Sequence, residues 1–105
     1  MADDGSGRVE IIYRPGEPQS SQIQMRVGDE AAVTLHGSSA YGWTPVEVAS
    51  GPLTVIDAGA DEGTARATVR ATGPGEAELR SASSFRGDRF GPQTRLWRLT
   101  VHIDP

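Results

Sequence analysis

His36 and His102 are the only imidazoles in this 105-residue chain, so a nucleophilic triad would have to take its general base from one of them. Serines are abundant, but none sits in a G-x-S-x-G elbow, the strained turn that exposes a nucleophile. His102 alternates away from an apolar strand face and reads as a solvated strand residue. The absence of cysteine removes disulfides, thiolate nucleophiles and Cys-based metal sites. Asp57, Asp61 and Glu62 cluster in DAGADEG (57–63). A calcium loop spaces its acidic oxygens at alternate positions around a bend glycine, and this segment does not, so it reads as a solvated acidic turn. Paired carboxylates for glycoside hydrolysis would need burial and a sugar cleft, and the alternating polar faces of the chain suggest neither. The sequence therefore predicts no catalytic residue, no metal and no cofactor, which is the profile of a non-enzyme.

What remains are residue types suited to recognition. HGSSAYGW (36–43) places two hydroxyl side chains, a Tyr and a Trp directly after a strand-like stretch, in a chain with two Trp, two Tyr and two Phe. Trp43 is expected to anchor this loop to the core so that the small residues before it face a partner. A second segment, SSFRGDRFGPQ (83–93), carries Phe85 and Phe90 beside Arg86 and Arg89. Aromatics and arginines dominate interface hot spots, although one Phe folding back to cap the core would serve equally well. Arg86-Gly87-Asp88 matches the integrin-binding tripeptide. Gly-Asp is ordinary turn chemistry, and the match is read as incidental.

The elements that must position these residues are strands. Ile23, Met25 and Val27 alternate with polar neighbours, Gly28-Asp29 marks a turn, and Ala31, Val33 and Leu35 resume the alternation. Residues 8–13 (RVEIIY) read as an edge strand ended by the proline-containing RPGEP. Val46 and Val48, then LTVI (53–56), extend the pattern. Ala65, Ala67, Val69 and Ala71 share a face, as do Ala77, Leu79 and Ser81, and Trp97, Leu99, Val101 and Ile103 close the fold. DAGADEG reads as a loop. No dozen-residue stretch has helical spacing. Six to eight short strands with Gly- and Pro-rich turns predict an all-β, immunoglobulin-like antiparallel sandwich without a disulfide.

Length allows one domain, placed at residues 8–105 behind a flexible 1–7 segment. Net charge is −4 with a pI near 5.0, so nucleic acid would find no general attraction here. MADDGSGR has neither the basic nor the apolar region of a signal peptide, and no run is long and apolar enough to span a bilayer. Localisation stays open: secreted or cell-envelope if a leader was removed, otherwise cytoplasmic.

An ordered set of motifs resembles the chagasin-type inhibitors of papain-like cysteine proteases. VGDE (27–30) resembles the family's V-G-D turn, and HGSSAYGW its N-P-T-T-G-Y-x-W loop, with Ser38 and Ser39 for the two threonines and Tyr41 and Trp43 matching. GADEGTA (59–65) resembles the Gly-rich second loop, GPGEAEL (73–79) the G-E-A-x-L turn and strand, and RLWRLTVHI the terminal strand. The sequence departs from the pattern at His36-Gly37 for Asn-Pro, at Ala40 for Gly, and in the third loop, where FRG (85–87) stands in place of R-P-W. The resemblance implies a reversible, monomeric inhibitor whose three loops wedge into a protease cleft. Ser38, Ser39, Ala40 and Tyr41 would enter it, with Gly59, Ala60, Asp61, Glu62, Gly63 and Thr64 on one side and Phe85, Arg86 and Phe90 on the other. The missing R-P-W leaves an alternative, a non-inhibitory immunoglobulin-like binding or adhesion module of a surface or secreted protein.

Overall fold

Period-two burial governs the strands. The computed structural model describes residues 7–38, 40–85 and 95–105, and among these nine strands form: β1 (Arg8–Tyr13), β2 (Ser20–Arg26), β3 (Glu30–Leu35), β4 (Tyr41–Trp43), β5 (Glu47–Ser50), β6 (Leu53–Asp61), β7 (Thr64–Ala71), β8 (Gly75–Phe85) and β9 (Arg95–Asp104). β3 buries Ala31, Val33 and Leu35, and β7 buries Ala65, Ala67, Val69 and Ala71 while turning Arg66 and Arg70 to solvent. Trp97, Leu99, Val101 and Ile103 of β9 are buried, with Arg98 and His102 exposed. Successive side chains on a strand point to opposite faces, so each such segment supplies one wall of a core.

The strands form two sheets, one ordered β1-β3-β7-β6 and the other β2-β9-β8-β4, with β5 also on β8. Their inner faces meet in a single hydrophobic cluster. Small residues on β7 and the two indoles of Trp43 and Trp97 belong to that same cluster, and pairing small with large side chains is what lets two sheets close to interior density. The fold is the expected all-β, immunoglobulin-like sandwich.

Its sheets are mixed rather than purely antiparallel, because β1 runs parallel to β3 and β2 parallel to β9. The segment 14–19, with prolines at 15 and 18 and Gly16 at φ 95°, carries the chain from the edge of one sheet to the edge of the other. β1 and β2 therefore do not form a hairpin, and each lies along a strand distant in sequence, where no tight turn dictates direction.

Three local readings change. DAGADEG is not a loop: β6 continues through Asp61, paired with β7 as Ala58↔Ala67, Gly59↔Arg66 and Ala60↔Ala65. The connection is the two-residue turn Glu62-Gly63, both at positive φ (51° and 83°), the combination that matches the twist of a hairpin. β6 is an edge strand exposed from Thr54 to Asp61, so it needs no apolar alternation, and beyond LTVI its strand character left little trace in the sequence. SSFRGDRFGPQ (83–93), which reads from the sequence as an exposed loop, gives its first three residues, Ser83, Ser84 and Phe85, to β8. Val27 lies beyond the end of β2 and is 42% exposed instead of continuing its inward face.

The end of the sandwich that holds the β2–β3 turn is organised by Asp29. Its carboxylate accepts the backbone N–H groups of Arg26 and Gly7, both at 2.9 Å, and Gly7 O accepts from Glu30 N at 3.1 Å. Gly7 is thus tied to the sandwich, while the flexible character expected for residues 1–6 lies outside the described residues. The N–H donors of Arg26 and then Gly7 hold the Asp29 carboxyl below its ordinary range, against a smaller opposing effect of desolvation. A carboxyl whose folded pKa is depressed stabilises the fold above its unfolded value and loses that contribution as pH falls through the folded one. In urea unfolding followed from pH 7 downward, the wild type is expected to be more stable than Asp29→Asn at neutral pH. The gap should narrow progressively below about pH 4.

Candidate functional site

Strand register brings the connections of interest to one end. Tyr13 pairs with Leu35, and Leu35 with Ala65, next to the β6–β7 turn. In the other sheet Tyr41 pairs with Phe85, and Ser83 with both Trp43 and Arg95. The loop 36–40, the turn 62–63 and the two strand ends that flank 86–94 therefore share one end of the sandwich. A direct link joins the sheets there, since Trp43 N donates to Gly63 O at 3.0 Å.

The 36–40 loop is closed by its own hydrogen bonds. His36 N donates to Tyr13 O and Ser38 N to Tyr41 O, each at 2.9 Å. Ser38 Oγ accepts from the N–H groups of Ala40 (3.2 Å) and Tyr41 (3.0 Å), the local side-chain-to-backbone bonding that favours turns. The Ser38 hydroxyl thus works first on its own backbone. Gly37 is required by proximity: a Cβ there would collide with the Gly63 carbonyl and lie 2.7 Å from Tyr41 O. Trp43, 6% exposed, packs edge-on against Tyr13 with ring centroids 5.4 Å apart and planes at 88°. Its Nε1 donates to His36 O at 3.2 Å, which satisfies the one polar atom of a buried indole. The Arg95 guanidinium carbon lies 5.2 Å from the centre of the Tyr41 ring, within cation–π range.

Of the residues singled out from sequence, Ser38, Ala40 and Tyr41 are half-buried at this end. Gly59, Ala60 and Asp61 are exposed on the distal half of β6, Glu62 and Gly63 form the turn, and Thr64 opens β7. Phe85 ends β8. Ser39, Arg86 and Phe90, together with the Phe85 side chain and the Arg-Gly-Asp tripeptide, lie outside the described residues. Tyr13, Gly37 and Arg95 were not singled out. Tyr13 carried a signal as the last inward position of the Val9, Ile11, Tyr13 alternation, whereas Gly37 and Arg95 act through contacts that no local pattern encodes.

Among the described residues no three His, Asp or Glu side chains gather as metal ligands. A concavity of about 580 Å³ involves Thr44, Pro45, Glu47, Arg80, Leu96 and Arg98 and shares no residue with the 36–40 loop or the 62–63 turn. Arg80 and Arg98 are ion-paired there with Glu47 (3.0 Å) and Glu78 (3.3 Å). What this end of the molecule offers is shape: a braced loop with small side chains beside an acidic hairpin tip.

An immunoglobulin-like sandwich with its connections gathered at one end defines the class. No protein-family model matches the sequence, and no curated protein does. Solved structures do match in shape. The cysteine protease inhibitor EhICP2 from Entamoeba histolytica superposes with a TM-score of 0.68 over 96% of this chain and 99% of its own, at 10% identity. Amebosin, known from a solution structure, superposes with a TM-score of 0.52 over 84% of this chain and 100% of its own, at 21% identity. The chain thus shares its fold with a cysteine protease inhibitor.

Gly37→Ala tests the close approach at this end. It is expected to lower unfolding stability by about 1–3 kcal/mol, the usual cost of overpacking. Amide NMR shifts should concentrate at Tyr41, Trp43 and Gly63.

Proposed function

We propose that the protein is a reversible, monomeric inhibitor of papain-like cysteine proteases, acting through the loop of Ser38, Ser39, Ala40 and Tyr41. In this reading the hairpin tip from Gly59 to Thr64 and the segment containing Phe85, Arg86 and Phe90 would grip the sides of the protease cleft. The observation that carries this reading is the self-closed 36–40 loop, joined through Trp43 to the Gly63 carbonyl of the neighbouring tip. A loop with small side chains can approach a narrow cleft closely. One already held in place by hydrogen bonds loses little conformational entropy on binding, so more of the contact energy appears as affinity. No covalent step is needed, because exclusion of substrate suffices. The shape shared with EhICP2 supports the same reading.

The alternative, a non-inhibitory binding module, is favoured by the lack of an R-P-W sequence in 83–93. Steady-state inhibition of papain separates the two. Inhibition is expected in the micromolar range or tighter, a binding free energy of about −8 kcal/mol or more. Ser39→Arg should weaken it at least about 30-fold, as expected for a hot spot, without moving the urea midpoint. No inhibition of any papain-like enzyme at about 10 μM, an affinity weaker than that threshold, would leave the module reading.

A further inference from the structure

Two buried hydroxyls near the 36–40 loop are unaccounted for. Tyr13 is 3% exposed and Ser83 1% exposed, and neither Tyr13 Oη nor Ser83 Oγ meets a hydrogen-bond partner among the described residues. Leaving such groups unpaired in an apolar interior is costly, and native proteins resolve nearly all of them with a protein group or an ordered water. Both residues line one small cavity, together with His36, Ser38, Trp43 and Arg95. It has room of about 20 Å³ for the centre of a water molecule, which exceeds the roughly 10–15 Å³ that one water requires. A water entering needs two to four polar partners, and the two hydroxyls each offer a donor and an acceptor.

We propose that this cavity is a built-in binding site for a single water molecule, held by Tyr13 Oη and Ser83 Oγ. Tyr13 belongs to the sheet of β1 and β3, and Ser83 to the sheet of β8 and β9. The bound water is therefore a cross-sheet bridge. Its position matters because Tyr13 also carries the edge-on contact to Trp43 and its carbonyl accepts from His36 N, while Ser83 is the register partner of Trp43. The water thus sits beside the indole that holds the loop, in a cavity that His36, Ser38 and Tyr41 of the loop also line. This site does not depend on the proposed inhibitory activity.

The sign of a stability change tests it. If water satisfies the hydroxyls, Tyr13→Phe and Ser83→Ala each remove a hydrogen bond, and each should shift the unfolding equilibrium constant in urea about tenfold toward the unfolded state. The double variant should shift it by clearly less than the product of the two, since both hydroxyls act on one molecule. If the hydroxyls are instead unpaired, deleting either removes a penalty, and a single variant as stable as the wild type or more stable overturns the proposal. A high-resolution crystal structure of the wild type supplies the second measurement. An ordered water within hydrogen-bond distance of both oxygens is expected. A direct bond between the two side chains, or a protein partner for either, overturns the site.

Discussion

The candidate end of this molecule depends on burying an indole without stranding its N–H. Trp43 is the last residue of a three-residue strand, too short to be held by its ladder alone. Its ring enters the core against Tyr13, and the N–H finds the His36 carbonyl. That bond reaches back across the loop that β4 follows, so loop and core are held by one side chain. Its main-chain N–H also donates to Gly63 O. A single residue therefore ties both sheets and two of the connections at one end.

Once that geometry is set, the loop has few options. The chain passes so close to Gly63 that position 37 has no space for a side chain. Ser38 folds its hydroxyl onto the following N–H groups, the economical way to satisfy donors that a tight loop leaves without strand partners. These constraints favour recognition by shape over chemistry. The Ser38 hydroxyl oxygen is engaged with its own backbone, and the ring of Tyr41 is faced by an arginine.

The edges follow a different logic. β6 is exposed along most of its length and could recruit a foreign strand. It carries Asp57 and Asp61, and its register with β7 shifts between Val55 and Asp57. Charge and a bulge are both devices that blunt an open edge. On the opposite edges, β1 and β2 use prolines between them to end one pairing and begin another.

The chain's alternation was legible because it is local. The inward sets of β3, β7 and β9 follow from side chains two residues apart facing the same way, and with no cysteine and no helical spacing they determine an all-β sandwich. The ordered motifs likewise pointed to one loop ending at Trp43. Where apolar pattern is absent, as in the distal half of β6 from Asp57 to Asp61, a real strand looked like a loop, since an edge exposed to water needs no alternation. Tertiary structure decided the rest: the parallel pairings, the reach of β8 to Phe85, the bare approach of Gly37 to Gly63, the stacking of Arg95 on Tyr41, and the burial of Tyr13 and Ser83 around a shared cavity. Each of these depends on which distant segments lie side by side, and residue type and spacing along the chain do not encode that.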